Sequence, residues 1–164
     1  MKTHEEYMEL ALEEARKAEE IDEVPVGCVI VCDGEVISRG HNLKEKLNQA
    51  YAHAEMIAIQ KAAEVKGNWC LNDCDLYVTL EPCMMCTGII NLSRIRTVYY
   101  GTTDPKGGCL ETIIDLKKIN RLNHYPNIVG NILQKECSEI LTNYFRKKRE
   151  IIKEKKQKNK ANIQ

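Results

Sequence analysis

Apolar residues recur along this chain with two different spacings, which separate predicted helices from predicted strands. Residues 4–20 carry an apolar stripe at helical spacing among glutamates, formed by Met8, Ala11, Leu12, Ala15 and Ala18. This pattern predicts an amphipathic helix. Residues 24–32 are rich in β-branched side chains, Asp33-Gly34 is typical of a hairpin turn, and residues 35–40 have the pattern of a returning strand.

Beyond the hairpin, predicted helices alternate with predicted strands. The predicted elements are a polar loop at 41–50, a helix over 52–65, a strand over 75–80, a short helix over 83–92, a strand over 96–101, a helix over 111–118, an extended piece at 128–129 and a long helix from about Asn131. This order predicts an α/β fold with a mixed sheet covered by helices. We expect one domain over 1–152 and a basic, flexible tail over 153–164.

Composition and charge narrow the class of protein. A chain of 164 residues has the size of one soluble domain, and no apolar run approaches the ~20 residues of a membrane helix. The first twenty residues lack the apolar stretch of a secretory signal, so we expect a cytoplasmic protein with reduced thiols. The net charge is zero, but residues 1–23 carry nine acids and three bases, whereas residues 146–160 carry nine bases and two acids. The basic end favours an acidic partner, nucleic acid among them.

The candidate chemistry lies in two short segments, His53-Ala54-Glu55 and Pro82-Cys83-Met84-Met85-Cys86. Cys83 and Cys86 are three residues apart, so on a helix they share a face and can bind one metal. One imidazole and two thiolates can hold zinc and leave its fourth position open to water, as in catalytic zinc sites. Glu55 supplies a carboxylate that could transfer the protons of that water. We therefore predict catalytic zinc bound by His53, Cys83 and Cys86.

The eight cysteines leave other arrangements open. A structural zinc site could use Cys70, Cys74, Cys83 and Cys86, although it would leave His53 and Glu55 without a role. Cys28 and Cys32 lie on one face of a predicted strand and are interpreted as small core residues.

Further motifs extend the pattern along the chain. In order they are Glu23-Val24-Pro25-Val26-Gly27, Asn42, Ala52-His53-Ala54-Glu55, the segment from Leu76 to Cys86, Ser93-Arg94-Ile95, Tyr100-Gly101, Asp104-x-Lys106-x-Gly108, Asn123-His124 and Tyr144-Phe145-Arg146 with Arg149. The histidine, glutamate and paired cysteines match the signature of zinc deaminases that act on nucleobases. Over about residues 4–150 the chain resembles the bacterial tRNA-specific adenosine deaminases.

The resemblance implies a cytidine deaminase-like fold, a three-layer α/β/α sandwich with a mixed sheet of about five strands, over the zinc-dependent deaminase domain 1–152. It also implies a homodimer with one zinc ion per subunit. The implied reaction converts adenosine to inosine at the wobble position of a tRNA anticodon stem-loop, most typically of an arginine tRNA. Glu55 would be the catalytic residue, and Asn42 would hydrogen-bond the flipped adenine. The other implied substrate-binding residues are Ala54, Asp104, Lys106, Asn123, His124, Phe145 and Arg149.

The basic helix end from Phe145 to Arg149 independently favours RNA, because an anticodon loop needs cations for phosphates and flat groups for splayed bases. A solvated helix end whose cations complement the helix dipole is the plainer interpretation of residues 146–160. Two functional alternatives remain: a guanine or deoxycytidylate deaminase with the same zinc motif, and a non-catalytic RNA-binding module with structural zinc.

Overall fold

In the computed structural model, which describes residues 1–163, helices and strands alternate largely as the sequence predicts. In chain order they are α1 (His4–Glu20), β1 (Gly27–Cys32), β2 (Glu35–His41), α2 (Lys44–Leu47), α3 (Ala54–Lys66), β3 (Cys74–Leu80), α4 (Met84–Leu92), β4 (Thr97–Thr102), a 3₁₀ turn (Leu116–Lys118), β5 (Asn127–Val129) and α5 (Gln134–Ile163). Thr3 caps α1 through a capping box with Glu6, and Gly67 ends α3 in the left-handed conformation. Among helices of the described residues, none is both long and apolar enough to cross a membrane.

Within residues 1–163 the strands form one five-stranded mixed sheet in the order β2-β1-β3-β4-β5. β1 is antiparallel to both β2 and β3, whereas β3, β4 and β5 run parallel. The carboxyl ends of β3 and β4 therefore meet at one edge of the sheet, the edge at which parallel α/β sheets place their ligands.

Helices cover both faces of this sheet, which confirms the three-layer α/β/α sandwich. On one face, α3 and α4 enclose a core that includes Ala58, Ile90 and the inward side chains of β1, β3 and β4. On the other face, α1 and α5 pack on Val29, Val31 and Tyr77. A Cβ atom on Gly27 would collide with the backbone of α1, so glycine permits this close approach of helix to strand.

Two predicted elements differ from the structure. The polar loop at 41–50 contains the short helix α2, and the helix predicted over 111–118 is reduced to its last three residues. The reason for the second difference is a long-range contact, since the backbone N–H groups of Leu110, Glu111 and Thr112 donate to the Glu81 side chain. The predicted tail is helical through Ile163 and exposed, while Gln164 lies outside the described residues. The division at 152 and the flexibility of the tail stay predictions.

Candidate active site

The three predicted metal ligands lie at the starts of two helices. His53 and Cys83 are the N-cap residues of α3 and α4, and Cys86 lies in the first turn of α4. His53 Nδ1 is 3.6 Å from Cys83 Sγ and 3.6 Å from Cys86 Sγ. Nitrogen and sulfur ligands of a tetrahedral zinc are separated by about 3.5 Å, given zinc–nitrogen and zinc–sulfur bonds of about 2.0 and 2.3 Å. The donor set and its spacing therefore fit zinc.

The electrostatics of this cluster favour the ligand form of Cys83, whereas hydrogen bonds with Cys83 raise the pKa of both His53 and Cys86, whose protons a bound metal ion would have to displace. Hydrogen bonds from Cys86 and His53 lower the pKa of Cys83 to about 4, so this residue is a thiolate at neutral pH. The ligand atoms of His53, Cys83 and Cys86 all lie within 4.8 Å of one another. Cys74 instead groups with Cys32 and Asp73, so the four-cysteine alternative is not assembled in the described residues.

Glu55 lies beside this cluster in the first turn of α3 and is only 4% exposed. Burial and, to a lesser extent, the negative charge of Cys83 raise the pKa of Glu55 to about 7. A carboxyl group with a pKa near the working pH can both accept and return a proton, as general acid–base catalysis requires.

A cavity of about 190 Å³ opens above these residues. Its lining residues are Val24, Val26, Asn42, Lys44, His53, Ala54, Glu55, Leu80, Glu81, Cys83 and Asp104. The predicted substrate-binding residues Asn42, Ala54 and Asp104 thus share one cavity with Glu55. The Asn42 side chain is oriented by two backbone contacts, since its Nδ2 donates to the Val24 carbonyl (3.3 Å) and its Oδ1 accepts from Lys44 N (3.1 Å).

A groove of about 640 Å³ continues from the cavity, because both are lined by Val24, Leu80 and Asp104. Of the predicted RNA contacts, Lys106, Phe145 and Arg149 line this groove. The structure therefore places three more of the predicted residues on one path away from the zinc ligands.

Phe145 lines this groove, and contacts of its neighbour Tyr144 hold it in place. The ring is 43% exposed and meets Tyr144 edge to face at 5.4 Å between centroids. Tyr144 is in turn held by its hydroxyl, which donates to the Asp22 carbonyl oxygen at 3.2 Å, and Lys148 pairs with the Asp22 carboxylate at 2.6 Å. The loop after α1 thus fixes the part of α5 that carries Phe145.

Asn123 and His124 lie away from the cavity and the groove. His124 Nε2 donates to the carbonyl oxygen of Ile95, which precedes β4 and so lies at the opposite end of that strand from the groove. Neither residue lines the cavity or the groove. Their contact with RNA stays a prediction, and the contacts within one chain do not support it.

Glu81 lines the cavity, although the sequence patterns gave it no separate role. It is 2% exposed, and its carboxylate accepts hydrogen bonds from backbone N–H groups of Asp104, Leu110, Glu111 and Thr112. Burial alone would raise the pKa of Glu81, but these donors and the Thr112 hydroxyl lower it below its usual value. Glu81 therefore binds the 104–112 loop to the strand end next to Cys83. A charged residue directly before Pro82 was the available signal.

Comparisons with known proteins agree with this geometry. The family model of the cytidine and deoxycytidylate deaminase zinc-binding region matches residues 1–102. The tRNA-specific adenosine deaminase of Bacillus subtilis (strain 168) is 48% identical over 143 residues, which are 87% of this chain and 89% of that protein.

Two solved structures resemble this chain to different degrees. One, from a study of A-to-I editing by tRNA:A34 deaminases at the wobble position of transfer RNA, matches with a TM-score of 0.80 and 47% identity over 83% of this chain and 99% of that one. The guanine deaminase of Bacillus subtilis matches with a TM-score of 0.60 and 38% identity over 62% of this chain and 66% of that one. The chain therefore belongs to the tRNA-specific adenosine deaminases, within the cytidine and deoxycytidylate deaminase zinc-binding family.

Proposed function

We propose that this tRNA-specific adenosine deaminase converts adenosine to inosine at the wobble position of a tRNA anticodon stem-loop, most typically that of an arginine tRNA. The observation that carries the proposal is the buried carboxyl of Glu55 beside the three zinc ligands, in a small cavity that opens into the groove of Phe145 and Arg149. A cavity of about 190 Å³ is smaller than a typical drug-sized pocket and suits a single base.

Asn42 supports recognition of that base. Its amide uses one N–H and one oxygen lone pair for the backbone contacts with Val24 and Lys44. A side-chain amide has two N–H donors and two acceptor lone pairs, so one of each is left for the edge of a flipped base.

The reaction is a hydrolysis in which water adds to the ring carbon that bears the exocyclic amine, and ammonia leaves. Zinc held by His53, Cys83 and Cys86 would supply the Lewis acidity that makes water nucleophilic near neutral pH. Glu55 accepts a proton from the attacking water, delivers it to the ring nitrogen, and then helps to protonate the leaving amine. Its raised pKa suits this two-way transfer.

The groove supports an RNA substrate in preference to a free base. Phe145 offers an exposed ring on which a splayed base can stack, and Lys106 and Arg149 offer cations for neighbouring phosphates. A deaminase that acts on guanine or deoxycytidylate needs only the inner cavity, so it has no use for this arrangement.

An apolar surface on α3 and α4 supports a homodimer. A groove of about 460 Å³ there is lined by Met56, Ile59, Gln60, Ala63, Trp69, Ile89, Leu92 and Ser93, none of which is charged. Trp69 is 65% exposed and Leu92 66% exposed. Large exposed apolar side chains without charge suit a matching apolar surface, and a second copy of this chain offers one.

The double variant Trp69→Asp, Leu92→Asp should be monomeric in light scattering, whereas an unchanged mass would exclude this surface as the dimer interface.

Each subunit would hold one catalytic zinc ion, because each carries one complete set of His53, Cys83 and Cys86. The cytoplasm is the expected location, since the proposed tRNA substrate and reduced cysteines are both found there.

The decisive experiment compares substrates at equal enzyme concentration. Inosine should form at the wobble adenosine of an arginine-tRNA anticodon stem-loop, and Glu55→Ala should abolish it while zinc content stays unchanged. Stem-loops of other tRNAs with the same adenosine would test the arginine preference. Ammonia released only from guanine or deoxycytidylate would overturn the RNA substrate but not the zinc chemistry. Full editing by Glu55→Ala would overturn the mechanism itself.

A further inference from the structure

A second group of metal-ligating side chains lies at the opposite end of β3 from the active site. Cys32, the last residue of β1, is paired with Cys74, the first residue of β3, across the antiparallel ladder. Asp73 directly precedes Cys74, and the ligand atoms of the three side chains all lie within 4.8 Å of one another. Cys32 is 7% exposed and Cys74 is fully buried, so the sheet itself fixes both thiols.

The sulfur–oxygen separations within this group match those of metal ligands. Cys32 Sγ donates to Asp73 Oδ2 at 3.3 Å, and Cys74 Sγ donates to Asp73 Oδ1 at 3.4 Å. Sulfur and oxygen ligands of a tetrahedral zinc are about 3.5 Å apart. The carboxylate therefore already stands beside each thiol at nearly the distance that a shared metal ion would impose.

Lys66, the last residue of α3, places a positive charge beside this group. Its Nζ is 2.5 Å from Asp73 Oδ2 and 3.5 Å from Cys32 Sγ. The ion pair with the Asp73 carboxylate identifies the side chain as a cation that accompanies the ligands and is not one of them. Two thiolates and a carboxylate around a divalent ion leave one negative charge, which the Lys66 ammonium balances.

The Cys74 thiol does not ionise readily without a metal. Burial and the adjacent Cys32 thiol raise the pKa of Cys74 well above its usual value. A thiophilic divalent cation can displace these protons, because thiolate–metal bonds replace the lost hydration of the charge.

We propose that Cys32, Asp73 and Cys74 form a second metal site, selective for a thiophilic divalent cation such as zinc, with water as the fourth ligand and Lys66 as the outer charge partner. Binding releases one proton from each thiol to the solvent. The ion would tie the end of β1 to the start of β3, and Lys66 would attach the end of α3 to the same point. The site lies a full strand length, about 20 Å, from the other end of β3, so its role is structural.

The test measures zinc bound to the full chain. Wild-type protein, reduced and reconstituted with Zn²⁺, is desalted and analysed by mass spectrometry of the elements. We expect a second equivalent of zinc per chain that Cys74→Ser lacks. Asp73→Asn is the second variant, because it keeps both thiols and the shape of the side chain, and it should lose the same equivalent if Cys74→Ser fails to fold.

Cys70→Ser is the matched control, since Cys70 is a partly exposed thiol four residues before Cys74 and outside the cluster. It should keep both equivalents. A single equivalent in the reduced wild-type protein would overturn the proposal, whether or not Cys32 and Cys74 form a disulfide on oxidation. Equal zinc loss in Cys70→Ser would also overturn it, because the second equivalent would then be non-specific thiol binding.

Discussion

The two ends of β3 carry similar ligand atoms in different surroundings. Beyond its carboxyl end, His53 and Cys83 line a cavity of about 190 Å³ together with Glu55, and the buried Cys86 completes the predicted ligand set. At its amino end, Cys32 and Cys74 meet Asp73 beneath the ammonium group of Lys66. A cluster of ligands is therefore only the beginning of an active site. What distinguishes the active-site end is space for a substrate and a carboxyl group, that of Glu55, outside the predicted ligand set.

The two ends of β3 also differ in how the charge of a bound metal ion would be balanced. Two thiolates and a neutral imidazole would balance a zinc ion at the catalytic end, which leaves Glu55 free to exchange protons instead of neutralising the metal. At the other end the carboxylate is itself part of the cluster and is paired with Lys66. The first arrangement suits proton transfer, and the second suits a static charge balance.

Without the Glu55 carboxyl, the active site should still bind zinc and substrate but lose its proton-transfer group. Glu55→Gln keeps the size of a buried side chain but cannot accept the proton of water, so the single-turnover rate of inosine formation should fall by about 10²–10⁴-fold. Zinc content, measured on the same preparation, should not change. A rate within tenfold of wild type would show that another group moves the proton.

Glu81→Gln tests whether the Glu81 carboxylate positions the 104–112 loop beside the cavity. The amide nitrogen of glutamine would face one or more of the backbone N–H groups of Asp104, Leu110, Glu111 and Thr112 that the carboxylate now accepts. We expect a loss of about 1–3 kcal/mol in the free energy of unfolding, since hydrogen bonds to a buried charge are lost. The KM for the stem-loop should rise more than kcat falls, because the loop carries Asp104 and Lys106 and not the zinc ligands.

The control for Glu81→Gln is Glu111→Gln. Glu111 lies in the same loop, where its carboxylate accepts only the Tyr100 hydroxyl among the described contacts. Equal effects of the two substitutions on KM would mean that general loosening of the loop, and not the Glu81 carboxylate, sets the substrate path.

Local patterns predicted what local residues determine. The period of apolar residues predicted α1 and Asp33-Gly34 predicted the hairpin, because each depends on neighbours in the chain. The metal cluster joins two segments thirty residues apart, and it was predicted because His53, Glu55 and the paired cysteines match a known signature. Among its described residues the structure confirms the mixed sheet that the order of predicted elements indicated, and its five strands agree with the number that the family resemblance implied.

Long-range contacts account for what the patterns missed. The predicted helix over 111–118 gives way to a loop that wraps around the Glu81 carboxylate, a residue some thirty positions earlier. The position of His124 depends on the Ile95 carbonyl in the same way. The Cys32–Cys74 pairing requires the strand register, which one-dimensional spacing does not contain.

Arg149→Ala should have a smaller effect, because it removes one cation from the groove and leaves the catalytic cluster intact. Loss of one phosphate contact should weaken tRNA binding by roughly tenfold at low salt and reduce the slope of log affinity against log salt by about one. Lys147→Ala removes an exposed cation of α5 that does not line the groove. Binding measurements that show equal losses for both variants would mean that α5 contributes only diffuse charge.

The smallest effect on activity is expected from Cys74→Ser, and the same substitution at Cys86 provides its direct counterpart at the other end of the sheet. Cys86→Ser removes a proposed zinc ligand and should abolish editing. Cys74→Ser should keep kcat/KM within about twofold, because the active site lies about one strand length away from Cys74. Burial of a hydroxyl in place of a thiol should still lower the unfolding free energy by about 1–3 kcal/mol. If Cys74→Ser reduced editing as much as Cys86→Ser while the protein stayed folded, the two ends of β3 would be one coupled site.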